Sequence, residues 1–347
     1  MIVIRADANE HIASGHVMRC LSLADALFSL GQEIVFITSD DYAAKLVTDR
    51  DFKVICFNND YNDKEGELDR IIAEIEKISP ELILIDSYQV TADYLQTIRD
   101  NTGSKLAYID DLNAFDYPVD IVINYSIYAN DIDYPNNKTY LLGTQYVPLR
   151  KQFELSEDIL NRSIIGRSDN RQILITTGAA DPYHISGKII RSILNEPLLS
   201  EYKLSVVRGR FWENDEILNE VSKYGKDRIR WYENVENMAD LMLPATMAVS
   251  AGGSTLYELC ACLVPTVTIA CADNQLGNVN GFAERGIMQY AGDVRNNPDI
   301  SENIVKILLS YHENNDIMDR MIGLMRRLSC GKGSLHLAEE LVRRITE

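Results

Sequence analysis

His16 stands between Gly15 and the first turn of an expected helix, in the opening stretch "IRADANEHIASGHVMRCLSLADAL". Ser14 or Gly15 can start that helix, and a glycine there lets a ligand come close to the backbone. At a helix N-terminus the dipole disfavours an imidazolium, so a neutral ring able to take a proton from water is expected. A base so placed typically contributes ~10²–10⁴ in rate. The plainer alternative is a structural histidine. A second strand end, "IDSYQV", brings Asp86 and Tyr88. Tyr88 either reaches the same site or is a rim aromatic.

Three further strand-to-helix junctions carry residues suited to a nucleotide. "TTGAADPYH" has Gly178 and Asp181, "SAGGSTLYE" has Gly252, Gly253, Ser254, Thr255 and Glu258, and "ACADNQLGN" has Asn274 and Gln275. In the second of these, paired glycines followed by two hydroxyl residues at a helix start form an anion cradle of free N–H groups. A carboxylate one turn later, Glu258, could accept hydrogen bonds from two ribose hydroxyls. The alternative is a tight turn packed on the sheet. "AGGST" is not the G-x-G-x-x-G fingerprint. "SCGKGS" (329–334) has the look of a phosphate loop, but Gly333 follows Lys332 and the upstream glycine is missing. A metal-binding Asp-x-Asp would have to be Asp131 and Asp133 in "NDIDY", far in sequence from the cradle.

These residues need strand ends to hold them, and the pattern supplies them. Apolar runs at 2–6, 33–38, 54–57, 81–86, 106–110 and 120–124 read as strands, as do those at 172–177, 204–209, 228–232, 247–251 and 265–270. Between them lie helical stretches. One carries Val17, Cys20, Leu21, Ala24, Leu27 and Phe28 at helical spacing and stops at Gly31, and a charged one spans about 66–78. Three more close the chain, at about 300–310, 314–328 and 334–346. Continuous apolar strands alternating with helices argue for parallel sheets covered on both faces. The expected organisation is a Rossmann-like domain over 1–150, a polar linker at 151–170 and a second Rossmann-like, nucleotide-binding domain over 171–333. A C-terminal helix at 334–347 is expected to pack back on the first domain. Ligands in such sheets bind at the carboxyl ends of strands, and two such domains facing each other make a cleft.

Composition narrows the partners. With 34 basic and 52 acidic residues the net charge is −18, and residues 1–150, with 12 basic against 25 acidic, hold −13 of it. That excludes the basic footprint of a nucleic-acid binder and disfavours docking on an anionic membrane. No apolar run reaches the roughly 18–20 residues of a membrane span. The opening "MIVIRADAN" has no basic segment followed by a long apolar core, so no secretory signal and a cytoplasmic location are expected. Six cysteines, at 20, 56, 260, 262, 271 and 330, form no C-x-x-C pair and read as reduced core thiols, not as a zinc site of Cys260, Cys262 and Cys271.

Taken together, the motifs resemble the PseG/SpsG family, the UDP-sugar hydrolases of pseudaminic acid biosynthesis, relatives of the MurG-like GT-B glycosyltransferases. The opening "RADANEHIASGHVMRC" is similar to R-x-D-x-x-x-x-I-G-x-G-H-x-x-R, with Ala13 at one glycine position. "LILIDSYQV", "YIDDL", "DIVINYSIYA", "LLGTQYVPLRKQF", "VENMADLM", "AVSAGGSTLYELCACLVPTVTIACADNQ" and "CGKGSLHLAEEL" follow in order. In "TTGAADP", Ala179 takes the place of a second glycine.

The resemblance implies a GT-B fold and hydrolysis of UDP-2,4-diacetamido-2,4,6-trideoxy-β-L-altropyranose to the free sugar and UDP. Water attacks the anomeric carbon with inversion, and no metal or other cofactor is needed. It implies His16 as the base and Tyr88 as a helper. Nucleotide contacts fall to Gly252–Thr255, Glu258, Asn274 and Gln275, with uracil against backbone near Val235 and Met238. Further contacts are expected from Gly15 and Arg19 of the glycine–histidine motif and from Gly178 and Asp181. The rival expectation is a UDP-sugar glycosyltransferase on the same fold, with an alcohol replacing water. UDP-sugar and UDP are the expected partners.

Overall fold

The computed structural model describes residues 1–9, 12, 14–178, 180–209, 212–213, 216–328 and 330–346. Ala13 and Ala179 lie outside them. The chain divides into two units, one of Met1–Lys151 with the segment from Lys332 onward, the other of Gln152–Gly331.

The first unit is a seven-stranded sheet of β1 (Ile2–Ala6), β2 (Ile34–Thr38), β3 (Lys53–Cys56), β4 (Leu82–Asp86), β5 (Lys105–Ile109), β6 (Ile121–Asn124) and β7 (Thr139–Leu142). Its order is β3-β2-β1-β4-β5-β6-β7, and every pairing is parallel. The central strands β1, β2 and β4 are buried at every position, because helices cover both faces, and both sets of side chains are apolar except for Arg5, Thr38 and Asp86 toward the strand ends. On one face Val3, Ile37, Ile83 and Ile85 pack with Ile71, Ile75, Tyr94, Leu95 and Ile98 from the helices Leu68–Ile78 and Ala92–Asn101. Each such side chain stabilises the unit by about 1.5–3 kcal/mol on burial. Phe28, on the expected apolar stripe of the helix Gly15–Ser29, is instead 66% exposed.

The second unit repeats the scheme with β8 (Gln172–Thr176), β9 (Lys203–Val207), β10 (Ile229–Tyr232), β11 (Met247–Ala251), β12 (Thr266–Ala270) and β13 (Gln289–Asp293). Its order is β10-β9-β8-β11-β12-β13, again all parallel. Both sheets thus have the doubly wound order of a Rossmann fold, winding one way from the first strand and the other way from the fourth.

Three features depart from the sequence pattern. The edge strands β7 and β13 are not announced by apolar runs. An edge needs no two-sided burial, and β13 joins its neighbour through a register shift and holds Gly292 at φ +133°. The segment read as a linker contains a helix, Glu157–Asn170, capped by the Ser156 hydroxyl and falling within the second unit. Only Leu160 and Arg167 of that helix are buried. In place of an apolar stripe, Arg167 donates to the carbonyls of Leu243, Cys262 and Leu263 at 3.0, 2.7 and 2.6 Å. Finally, the glycines of "CGKGS" serve close backbone approach. A Cβ on Gly331 would meet the Phe153 carbonyl oxygen at 2.4 Å, and one on Gly333 the Val147 carbonyl oxygen at 2.2 Å. From there the helix Gly333–Thr346 packs on Gly15–Ser29 in the first unit.

Candidate functional site

The winding of the first sheet reverses between β1 and β4, where Ala6 and Asp86 are register partners at the two strand ends. The crevice beyond such a reversal is where ligands of open α/β sheets bind. The helix Gly15–Ser29 starts there. Its N-cap, Ser14, makes no side-chain capping bond, and a Cβ on exposed Gly15 would meet nothing within 4 Å.

Residues 16, 19 and 20 share one face of this helix by their spacing. All three converge on the fully buried Asp86. His16 Nδ1 lies 2.6 Å from Asp86 Oδ1. Arg19 grips the same carboxylate through Nε to Oδ2 (2.6 Å) and Nη2 to Oδ1 (2.5 Å). Cys20 Sγ lies 3.4 Å from Oδ2. Burial alone would raise the Asp86 pKa, but the Arg19 charge and then His16 outweigh it and hold it well below the usual carboxylate range. An ionised carboxylate only accepts, so the 2.6 Å contact favours a hydrogen on Nδ1, while Arg19 Nη2 lies 3.2 Å from the same nitrogen; with the hydrogen on Nδ1, a neutral ring has its lone pair on Nε2.

Arg19 also reaches outward, through Nη1 to Asp111 Oδ2 at 2.8 Å and to the Tyr125 hydroxyl at 2.5 Å. Tyr88 donates to the same Asp111 oxygen at 2.7 Å. Its ring meets the imidazole of His16 edge-on, with centroids 4.5 Å apart and planes at 84°. Burial and the Asp111 charge push the Tyr88 pKa upward. Asp110 fixes the loop that presents Asp111, accepting from the amides of Leu112 and Asn113 and the hydroxyls of Tyr117 and Tyr134. Gly15, His16, Arg19 and Tyr88 are therefore brought together. Asp111, Tyr125 and the role of Asp86 are additions that the residue pattern does not give.

A second buried network anchors the loop leaving β1. Arg5 bonds Glu67 at 2.9 and 2.8 Å and Asp7 at 2.6 Å, while Lys64 bonds Asp7 at 2.6 Å. Asp7 also accepts the Ser39 amide at 2.7 Å. All four charged side chains are almost fully buried. Despite burial, the Arg5 and Lys64 charges hold the Asp7 carboxyl at about 2.

In the second unit the reversal lies between β8 and β11, with Ser250 opposite Thr176. The Gly178 loop and the Gly252–Thr255 turn follow these neighbouring strands. Gly252 is a packing requirement, since a Cβ there would sit 2.5 Å from Val279 Cγ1 and 3.0 Å from Gln275 Cβ. Gly253 faces open space, Ser254 is exposed, and Ser254 makes no side-chain capping bond to the helix Thr255–Ala261. Glu258 is half-buried one turn in.

Gly178 adopts φ +99° and its carbonyl accepts from Trp212 Nε1 at 3.1 Å. Both oxygens of Asp181 are engaged by the amides of Ile185 (2.9 Å) and Ser186 (2.8 Å), so this carboxylate caps the helix Ile185–Leu194. Gln275 accepts the Cys271 amide at 2.9 Å, and Asn274 is exposed. Met238 is buried and Val235 half-buried past the end of β10, two places from β8 in the sheet. Arg295, unmarked in the sequence, bonds both oxygens of Asp293 at the end of β13, Oδ1 through Nε and Oδ2 through Nη2. It also pairs with Asp273 at 2.7 Å, at the start of the helix Asp273–Glu284. Among the described residues no three His, Cys, Asp or Glu side chains gather to hold a metal, and no helix is long and apolar enough to cross a membrane. The six cysteines are all free.

No protein-family model matches the chain. The uncharacterized protein MJ1062 of Methanocaldococcus jannaschii is 31% identical over 281 residues, 77% of this chain, which spans only 55% of that protein's length. The spore coat polysaccharide biosynthesis protein SpsG of Bacillus subtilis is 26% identical over 82% of this chain and 81% of its own. A UDP-2,4-diacetamido-2,4,6-trideoxy-β-L-altropyranose hydrolase of Campylobacter jejuni is 22% identical over 82% of this chain and 97% of its own. The chain is a distant homologue of SpsG and of this hydrolase.

Among solved structures, MurG of Acinetobacter baumannii superposes with a TM-score of 0.70 at 12% identity, covering 99% of both chains. Anabaena Alr3699/HepE in complex with UDP superposes with a TM-score of 0.67 at 12% identity over 100% of both chains, and Phytolacca americana UGT2, complexed with UDP-2-fluoro-glucose and pterostilbene, with 0.68 at 10% identity over 100% of this chain and 99% of its own. The fold is the GT-B fold. In GT-B terms, the His16 cluster lies at the sheet reversal of the N-terminal unit and the glycine-rich turn at that of the C-terminal unit.

Proposed function

We propose that the chain hydrolyses a UDP-linked 2,4-diacetamido-2,4,6-trideoxyhexose to the free sugar and UDP, in a pathway of the pseudaminic acid type. The second unit holds the nucleotide through the Gly252–Thr255 turn, Asn274 and Gln275, with Glu258 on the ribose and uracil against the backbone near Val235 and Met238. The first unit supplies the base. His16 Nε2 takes a proton from water as the water oxygen bonds to the anomeric carbon and the bond to the diphosphate oxygen breaks. The anomeric configuration inverts and UDP leaves with the bonding pair. Because UDP is a good leaving group, the paired carboxylates of a glycosidase are not required. Backbone donors of the turn stabilise charge gathering on the departing phosphate.

The observation that carries this reading is the Asp86–His16 contact of 2.6 Å at the β1/β4 reversal, in which an Nδ1 that donates to the carboxylate leaves Nε2 as the basic atom. The distant homology to a hydrolase of this substrate class supports it. The rival reading, transfer of the sugar to an alcohol, is favoured by the many glycosyltransferases among the structural relatives. One experiment separates the two: incubation with a panel of UDP-sugars, without acceptor, in ¹⁸O-labelled water. Inverted free sugar labelled at the anomeric oxygen, with unlabelled UDP, is expected. No release of UDP, or label in UDP, overturns the proposal.

A further inference from the structure

Tyr88 shapes the surroundings of His16 in a way that a hydrogen-bonding helper does not require. Its ring stands edge-on to the imidazole at 4.5 Å, and Asp86 occupies the Nδ1 edge. What remains open is small, for the His16 side chain is 11% exposed. Tyr88 itself is held in place from its far end, by the 2.7 Å bond from its hydroxyl to Asp111, which Arg19 in turn fixes at 2.8 Å. That hydroxyl proton is committed to the Asp111 carboxylate, and partial burial with the Asp111 charge pushes its pKa upward. The side chain is a tethered wall.

We infer that Tyr88 is a specificity-determining residue that narrows the approach to His16 so that water is activated and alcohols are excluded, making the chain a hydrolase on a glycosyltransferase fold. The inference rests on the hydrolase reading above. With water, the oxygen bonds to the anomeric carbon, its proton passes to His16 Nε2, and UDP leaves. With an alcohol, the same bonds form and break, and the product is the alkyl glycoside plus UDP. The two outcomes differ only in the room beside the base. One methylene in a confined pocket is worth about 10–200-fold in discrimination.

The test measures partition. Wild type, Tyr88→Phe and Tyr88→Ala are incubated with UDP-2,4-diacetamido-2,4,6-trideoxy-altropyranose in water containing methanol, and free sugar, methyl glycoside and UDP are quantified. Tyr88→Phe, which keeps the ring but loses the tether to Asp111, is expected to give a ratio of glycoside to free sugar between those of wild type and Tyr88→Ala. Tyr88→Ala is expected to raise that ratio about tenfold or more. Continued UDP release by Tyr88→Ala with an unchanged ratio overturns the inference and leaves the hydrolase reading standing. Absence of UDP release by the wild type overturns both. If Tyr88→Ala and Tyr88→Leu fold but lose turnover altogether, the ring is needed for the chemistry and the gating role is overturned.

Discussion

Arg19 holds Asp86 by both carboxylate oxygens, at 2.6 and 2.5 Å, and so leaves His16 a carboxylate that can only accept. Two residues three apart on one helix face thereby act on one buried anion from a neighbouring strand end. The guanidinium keeps the anion ionised, and the anion is placed to accept from the ring N–H at Nδ1.

Replacing Asp86 by Asn tests that arrangement. An amide keeps the shape but removes the charge that Arg19 neutralises, and it can turn an N–H toward Nδ1, which moves the ring hydrogen to Nε2. Turnover is expected to fall by roughly 10²–10⁴ with KM little changed, as when an orienting carboxylate is removed from a base. Initial rates across pH check this, and a kcat and pH profile matching those of the wild type would remove Asp86 from its positioning role.

The base itself is tested by His16→Ala. UDP release is expected to drop below detection while UDP still binds, because the nucleotide contacts are assigned to the other unit. Calorimetric titration with UDP and a coupled assay for UDP release make the two measurements, and retained turnover would take the base assignment away from His16.

Glu258 is half-buried on the helix that follows the glycine-rich turn. If it accepts hydrogen bonds from the ribose, Glu258→Ala weakens UDP binding by about 1–3 kcal/mol, the usual loss for hydrogen bonds to a charged group. Deoxyribose analogues of UDP should then bind the variant and the wild type with nearly equal affinity. An unchanged UDP affinity in the variant would rule out the ribose contact.

The central strands and the glycine–histidine junction were legible because each follows from a local signal, a continuous apolar run or a small residue before a helix. The partners of His16 were less so. Asp86 and Asp111 meet Arg19 only because β4 lies beside β1 and β5 beside β4 in the sheet order, and residues 67 and 92 positions apart carry no local mark of that. The helix Glu157–Asn170 was hidden for a different reason. It is held by a guanidinium on three carbonyls, so it lacks the apolar stripe by which helices are recognised. Asp181 has a role that its residue type does not announce, for its carboxylate caps a helix.

The network beneath the β1 loop predicts a pH dependence of stability. Asp7 has its pKa lowered from 3.8 to about 2 in the folded chain, burial being outweighed by Arg5 and Lys64. Its folded pKa is depressed, so between these values the unfolded chain binds more protons, and stability rises with pH. The contribution is complete above the unfolded value, is lost as pH falls through the folded one, and amounts to about 2 kcal/mol. Glu67, whose pKa is also lowered, acts in the same sense. Urea denaturation of wild type and Asp7→Asn at a series of pH values isolates the Asp7 share. The gap in stability between the two proteins should shrink as pH falls from about 4 to about 2. A gap that stays constant across that window would mean that Asp7 is not held ionised by its two cations.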